Sequence, residues 1–181
     1  MSKTSIDTRR WARLAALVVL STASCAGVLV GAPAAQAVSR CANFSPGADL
    51  SNCNLTGANL SGKNLTGANL TGTNLKSANL TNVRMSKAKV GSANFTGSTL
   101  AGVFSGGLTG YPTALPSYWG LVNGYLVGPD ANLTGATLAG ANLSFAHLAG
   151  ATITNASFAG ANLYGVRSGN VTGPPASLPS G

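Results

Sequence analysis

Large apolar residues recur at every fifth position along most of the chain. Asparagine usually precedes each of them, a small residue stands two positions before, and Thr-Gly or a similar pair often follows. The first series comprises Leu50, Leu55, Leu60, Leu65, Leu70, Leu75, Leu80, Met85, Val90, Phe95 and Leu100. The second series, in its own register, comprises Leu133, Leu138, Leu143, Leu148, Ile153, Phe158 and Leu163.

A period of five fits neither a strand, whose side chains alternate with period 2, nor an amphipathic helix with period 3.6. It fits a coil in which each repeat forms one flat side. The large residue and the small residue two positions before it share the inward face, because alternate residues of an extended segment point the same way. Asn, Thr and Ser then face outward, and Gly suits a turn that needs positive φ.

The recurring Ala-Asn-Leu-Thr-Gly pattern, as in Ala68-Asn69-Leu70-Thr71-Gly72, resembles the pentapeptide-repeat proteins. The resemblance implies an all-β fold, a right-handed quadrilateral β-helix with four repeats and twenty residues per coil. It further implies that residues twenty apart form columns. One inward column would contain Leu55, Leu75 and Phe95, a second Leu60, Leu80 and Leu100. An outward ladder of Asn54, Asn74 and Asn94 would bond along its column through the side-chain amides.

Residues 103–130 interrupt the period and contain three of the four tyrosines. Asn123-Gly124 within this insert predicts a two-residue β-hairpin. The second block is too short to stand alone, so we expect it to stack on the first as a single domain. The predicted segments are a signal peptide (1–37), an N-terminal cap (38–47), first repeats (48–102), the aromatic insert (103–130), second repeats (131–165) and a tail (166–181) that repeats part of the insert.

Two residues near the cap depart from the inward pattern. Lys63 occupies an inward slot, where a buried, unpaired ammonium would be costly, so we expect it to reach past the open end of the first coil. Cys53 occupies the same kind of slot. In an exported chain, Cys41 and Cys53 favour a disulfide that ties the cap to the first coil over a metal site, which needs more ligands.

The N-terminus has the features of an export signal. Arg9, Arg10 and Arg13 precede an apolar run, and Ala35-Gln36-Ala37 offers a cleavage site. Arg9-Arg10 leaves the twin-arginine route open beside the general one. Lipid modification of Cys25 is disfavoured, because Thr22 stands three residues before it where a large aliphatic is expected. The predicted location is therefore outside the cell, with attachment to the cell wall as an option.

Charged residues make up 8% of the chain, and the segment after residue 37 contains one His, two Asp and no Glu. His147 lies at an outward position and is expected to be a surface residue. Neither a carboxylate pair nor a nucleophile with its base can be assembled from this inventory. The sequence therefore predicts no enzyme, no catalytic residue, no metal, no cofactor and no small-molecule substrate.

After residue 37 the chain carries seven cations and two carboxylates, a net charge of +5. The candidate interaction patch combines the only dense cluster of charge with the aromatic residues of the insert: Arg84, Lys87, Lys89, Tyr118, Trp119 and Tyr125. Its expected partner is an anionic envelope polymer or another protein, because cations give salt-sensitive affinity for such surfaces; nucleic acid is not expected.

The predicted function is a secreted, non-enzymatic structural or binding scaffold. Some pentapeptide-repeat proteins resemble DNA and bind gyrase, but that role requires an acidic surface and a cytoplasmic address, which this basic chain with an export signal lacks. An ice-binding β-helix is a second alternative. The columns Ser51, Thr71, Gly91 and Thr56, Lys76, Thr96 are too interrupted to favour it.

Overall fold

The computed structural model describes residues 40–180, and the predicted signal peptide lies outside them. These residues form the right-handed quadrilateral β-helix expected from the repeats. Isolated parallel bridges join residues twenty positions apart on four faces. Face 1 carries Asp49, Asn69 and Lys89; face 2 carries Asn54, Asn74 and Asn94; face 3 carries Asn59, Asn79 and Thr99; face 4 carries Asn64, Arg84 and Phe104.

Each face pairs with the next coil through one short ladder. On face 2, Leu55 N donates to Asn74 O at 2.8 Å, and Asn74 N donates to Cys53 O at 2.9 Å. The chain then turns, as where Ala58 N donates to Leu55 O at 3.0 Å. The third residue of this turn, Gly57, has φ +67°, which explains why Gly recurs at this slot of the repeat.

The asparagines form columns, but the predicted amide ladder on face 2 is wrong. Asn54 Oδ1 accepts from Thr56 N at 3.2 Å, and Asn74 Oδ1 accepts from Lys76 N at 3.2 Å. Each side chain thus stabilises the turn that follows it in sequence. The reason is local: a backbone N–H two residues ahead is already aligned with the Asn oxygen, as in an Asx turn.

The inward columns agree with the sequence prediction. Leu55, Leu75 and Phe95 are fully buried, as are Leu60 and Leu80. Thr73 also faces inward, and its Oγ1 donates to Leu50 O at 2.7 Å, so its hydroxyl is not left unpaired in the core. Burial of this kind contributes about 1.5–3 kcal/mol per large apolar side chain.

The N-terminal end is closed by the predicted disulfide between Cys41 and Cys53, whose Cα atoms lie 5.7 Å apart. Arg40 Nη1 donates to Asp49 Oδ2 at 3.0 Å, and its Nη2 donates to Ser51 O at 2.9 Å. Hydrogen bonding by Ser51 lowers the pKa of Asp49, and the Arg40 guanidinium adds to this effect against the opposing effect of desolvation. Lys63, near this end, is exposed, whereas Val83, which occupies the same slot of the next coil, is buried.

The second block continues the first as one solenoid. Phe104 pairs with Asn132 on face 4, and Asn132 N donates to Val103 O at 3.1 Å. The coil between these partners is 28 residues long, eight more than its neighbours. Its first half still follows the coil, contrary to the predicted break at residue 103, because Thr109 pairs with Lys89 and Ala114 with Asn94.

The additional length forms an antiparallel hairpin of two strands, β1 (Gly120–Val122) and β2 (Tyr125–Val127), around the Asn-Gly turn. The hairpin folds back toward face 1, where Leu108 N donates to Gly124 O at 3.0 Å. Trp119, just before β1, packs against the core of both blocks. The insert is therefore a distorted coil that joins two cores.

The tail adopts the conformation of the part of the insert that it repeats. Thr172 pairs with Thr152 and Ser177 with Ser157 in the preceding coil. In the same way, Thr109 and Ala114 of the insert pair with residues of the coil before them. Gly110 and Gly173, 63 positions apart, share a φ of +80°. Over residues 40–180, the structure contains no helix of the length and apolarity that a bilayer crossing requires.

Candidate binding surfaces

Arg84, Lys87 and Lys89 lie together at the edge between face 4 and face 1. Arg84 is on face 4, Lys89 is on face 1, and Lys87 occupies the turn between them with φ +61°. All three side chains are exposed. The ion pair found within residues 40–180 joins Arg40 and Asp49, so these three cations have no carboxylate partner in the described chain. We call these three residues the basic corner.

Tyr125 lies beside the basic corner and is partly buried there. Its ring covers Gly106, where a Cβ would come within 2.8 Å of Tyr125 Cε1. Its hydroxyl oxygen accepts a hydrogen bond from Thr137 N at 3.2 Å. Tyr125 therefore closes the flank of the solenoid where the hairpin joins it, and the ring has little freedom to contact a ligand.

Tyr118 and Trp119 lie at the opposite edge, between face 2 and face 3. Tyr118 stacks on His147 of face 3, with ring centroids 4.2 Å apart and planes inclined by 24°. Tyr118 is 66% exposed, whereas Trp119 is partly buried. The six residues predicted as one patch therefore occupy two opposite edges of the four-sided coil. His147, predicted as a plain surface residue, is half-covered by Tyr118.

Two further aromatic residues extend this second surface. Phe145 is 65% exposed and Tyr164, one coil further on, is 73% exposed. Their rings meet edge to face, with centroids 5.4 Å apart and planes at 88°. We call Tyr118, Trp119, Phe145, His147 and Tyr164 the aromatic corner.

Phe145 was not among the candidate residues, although the sequence carries a signal for it. It occupies the turn slot that Gly140 and Gly150 fill in neighbouring repeats, and its φ is +59°. A bulky residue in this left-handed conformation is uncommon and energetically unfavourable. An aromatic residue in a glycine slot of the repeat is thus the feature that would have identified it.

The aromatic corner contains a cleft of about 290 Å³. Tyr118, Trp119, Phe145 and His147 line it together with the polar side chains of Asn142 and Ser144. Asn142 Oδ1 accepts from Ser144 N at 3.1 Å and from Ser144 Oγ at 2.7 Å. The Nδ2 group of Asn142 donates to no protein group within residues 40–180, so a donor remains for a ligand.

The cleft is lined by aromatic rings, aliphatic side chains and a few polar groups. Among the described residues, His, Cys, Asp and Glu side chains form no group of three or more that could hold a metal ion. The carboxylates of Asp49 and Asp130 are both absent from the lining of the cleft. The residues that line the cleft offer aromatic ring faces, one side-chain amide, two hydroxyls (Tyr118 and Ser144), an indole N–H and an imidazole.

Comparison with solved structures finds pentapeptide-repeat proteins. HetL from the cyanobacterium Nostoc sp. strain PCC 7120, which is involved in heterocyst differentiation regulation, is 28% identical over 69% of this chain, with a TM-score of 0.25. This chain spans 51% of HetL, about half its length. Full-length QnrB1, a plasmid-mediated fluoroquinolone resistance protein, is 16% identical over 71% of this chain and 85% of its own, with a TM-score of 0.38.

A pentapeptide-repeat protein from the thylakoid lumen of Arabidopsis thaliana is 25% identical over 75% of this chain and 71% of its own, with a TM-score of 0.26. A direct comparison with characterised protein sequences gave no significant match. The sequence profile described as "Pentapeptide repeats" matches residues 48–86 and 131–167 with eight copies. Together with the twenty-residue coils, this match identifies the chain as a member of the pentapeptide-repeat family.

Proposed function

We propose that this protein is a secreted, non-enzymatic binding scaffold of the cell envelope, and that the aromatic corner is its main binding surface. The export part of the proposal rests on the sequence of residues 1–37. The scaffold part rests on a solenoid whose inward columns are filled mostly by buried apolar side chains, while polar side chains occupy most of the outward positions.

The observation that carries the proposal is the backbone conformation of two exposed aromatic residues. Tyr118 has φ +70° and Phe145 has φ +59°. Such a conformation costs about 1–3 kcal/mol for a residue other than glycine. Both side chains are about two-thirds exposed, so core packing offsets little of this cost. Exposed rings kept at a strained position support a role in contact with another molecule.

The scaffold holds these rings in a defined place. Phe145 N donates to Tyr164 O at 2.8 Å, and Tyr118 is stacked on His147, which itself lies on a paired position of face 3. The turn that carries Phe145 is therefore hydrogen-bonded to the next coil. Surfaces with fixed side chains bind with a smaller loss of conformational entropy.

The inventory of titratable groups supports a non-enzymatic role. Asp49 is engaged with Arg40 at the N-terminal end, whereas Asp130 lies in a turn beside the second block. His147 is stacked under Tyr118, and neither carboxylate lines the cleft beside it. An acid–base site needs such groups close to one another with shifted pKa values.

The test is retention on isolated envelope material. The purified protein is incubated with envelope fragments, and the bound fraction is measured for the wild type and for the double variant Tyr118→Ala/Phe145→Gly. We expect retention to fall at least about tenfold, a change of roughly 1.4 kcal/mol in binding free energy. Asn155→Gly is the matched control, because Asn155 also occupies a turn slot with φ +56° but lies at the edge opposite the aromatic corner.

Unchanged retention in the double variant would contradict the role of the aromatic corner. The remaining candidate would then be the basic corner, which is favoured by three exposed cations without a carboxylate partner. In that case Arg84→Ala/Lys87→Ala/Lys89→Ala would abolish retention, and retention by the wild type would weaken steeply as salt is raised. Lys76→Ala, at another edge, is the control for the single substitution Lys87→Ala, because each removes one exposed lysine charge.

A DNA-mimicking, gyrase-binding role is less well supported, because the basic corner presents cations where an imitation of DNA requires anions. Inhibition of supercoiling by the purified chain would favour that role over the envelope scaffold. Thermal hysteresis would likewise favour the ice-binding alternative.

A further inference from the structure

We infer that the aromatic corner is a carbohydrate-binding site, with the apolar face of a sugar ring packed on its exposed aromatic rings. The inference deepens the proposed function and rests on it. A pyranose ring presents a flat face of C–H groups and a rim of hydroxyls. A matching site therefore combines exposed ring faces with a few polar groups around them.

The rings of the aromatic corner provide such faces. Tyr118 is backed by His147 at 4.2 Å, so one face of Tyr118 is covered and the other is free for a ligand. Phe145 stands nearly perpendicular to Tyr164 and lines the same cleft as Tyr118. The cleft, of about 290 Å³, is at the small end of ligand pockets, which run from roughly 300 Å³ upward.

Polar side chains line the cleft beside the rings. Asn142 has its oxygen engaged by Ser144 and its amide N–H groups unengaged within the described chain. Ser144 Oγ donates to that oxygen and keeps its lone pairs as acceptors. His147 pairs with Arg167 of the next coil on face 3, which brings an exposed guanidinium to the same face. These donors and acceptors are suited to sugar hydroxyls and to a carboxylate on an acidic sugar.

Charge argues against the other common ligand of aromatic sites, an organic cation. Aromatic cages attract ammonium groups through the negative faces of their rings. The lining of this cleft contains no Asp or Glu, and Arg167 would repel a second cation on the same face. A neutral or acidic sugar meets no such repulsion.

Intrinsic fluorescence offers a direct test. The chain has two tryptophans, so in full-length Trp11→Phe protein Trp119, which lines the cleft, is the only fluorescent indole. Chitotetraose, cellotetraose and tetragalacturonate are titrated in separate experiments. We expect a saturable change in Trp119 fluorescence with at least one of the three saccharides.

Phe145→Gly then tests the site itself. Glycine suits the positive φ, so this variant keeps the fold while it removes the ring. We expect Kd for the bound saccharide to rise at least about tenfold, and to be unchanged in Asn155→Gly. An equal Kd in Phe145→Gly would overturn the inference, as would the absence of a saturable change with all three saccharides.

Failure of this inference can be separated from failure of the proposed function. Envelope fragments are either mixed with an excess of the three saccharides as competitors or treated with protease. Retention that survives the competing saccharides but not protease would mean a protein partner: the scaffold proposal would stand and the carbohydrate site would be wrong. Absence of retention on untreated fragments would contradict the proposed function itself.

Discussion

The ring of Phe145 lies so close over Gly165 that a Cβ on Gly165 would come within 2.7 Å of Phe145 Cδ1. The two residues occupy equivalent turn slots in successive coils. The Phe145 ring therefore fits at its slot because the equivalent slot of the next coil has no side chain. Nothing in the repeat alone requires glycine at residue 165 beyond its φ of +66°.

This contact predicts the effect of Gly165→Ala. Gly160 provides the control, since it has a φ of +65° and no atom within 4 Å of an added Cβ. Both substitutions incur the left-handed backbone cost of about 1–2 kcal/mol. We expect Gly165→Ala to be less stable than Gly160→Ala by about a further 1 kcal/mol, because the methyl group must displace the Phe145 ring. Urea denaturation measures the difference; equal midpoints would mean that the ring moves aside freely.

The inward column of Leu55, Leu75 and Phe95 predicts a large effect of Leu75→Ala. Leu75 is fully buried between coils that stack on both sides. The substitution removes three buried carbon atoms at the centre of the column and should cost about 2–5 kcal/mol of unfolding free energy. Leu178→Ala is the control, because Leu178 is largely exposed and should change the free energy by no more than about 0.5 kcal/mol. A small loss in Leu75→Ala would mean that the coils can collapse into the gap.

The disulfide between Cys41 and Cys53 predicts that the N-terminal end depends on oxidation. Removing it in Cys41→Ala/Cys53→Ala frees a loop with a sequence separation of 12. We expect a loss of about 2–3 kcal/mol, since the unfolded chain gains the entropy of an open loop. Denaturation of the wild type with and without a reductant checks the same value. If the reductant also destabilised the double variant, its effect could not be assigned to this bond.

The lowered pKa of Asp49 predicts a modest loss of stability in acid. A carboxyl whose pKa is lower in the folded protein than in the unfolded chain stabilises the fold above the unfolded value and loses this contribution as pH falls through the folded value. Because the pair with Arg40 is exposed, the loss below about pH 4 should stay under about 1 kcal/mol. Asp49→Asn should abolish this part of the pH dependence, which denaturation midpoints at pH 6 and pH 3 would reveal.

The sequence predicted the interior well and the arrangement of the surface residues poorly, for one physical reason. Inward slots accept only side chains that fill a narrow apolar space, so Leu60 or Phe95 can be placed from periodicity alone. Tyr118 and His147 are 29 positions apart, and they meet only because the insert adds eight residues to one coil. No periodic rule places Tyr118 once the repeat is interrupted. Arg84 and Tyr118 were grouped for the same reason, although they lie at opposite edges.

The turn slots also include residues that the sequence pattern predicts and one that it does not. Gly57 and Gly97 follow from the need for positive φ, yet Phe145 meets that need without glycine. A rule based on backbone preference predicts small residues at these slots and therefore does not predict Phe145. The exception was visible in the sequence, but its neighbours Tyr164 and Gly165 became evident only when successive coils were placed on each other.

The correspondence between residues 105–115 and the tail has a geometric consequence. Thr109 lies on face 1, whereas Thr172, its counterpart 63 positions later, lies in the column of face 4. A unit of 63 residues, made of a repeat block and its insert, therefore ends one face away from where it began, a rotation of a quarter turn about the axis of the solenoid. If such units were joined in tandem, their aromatic clefts would follow a helical path around the axis of the solenoid. A long flexible polymer could then contact several clefts only by winding around the solenoid.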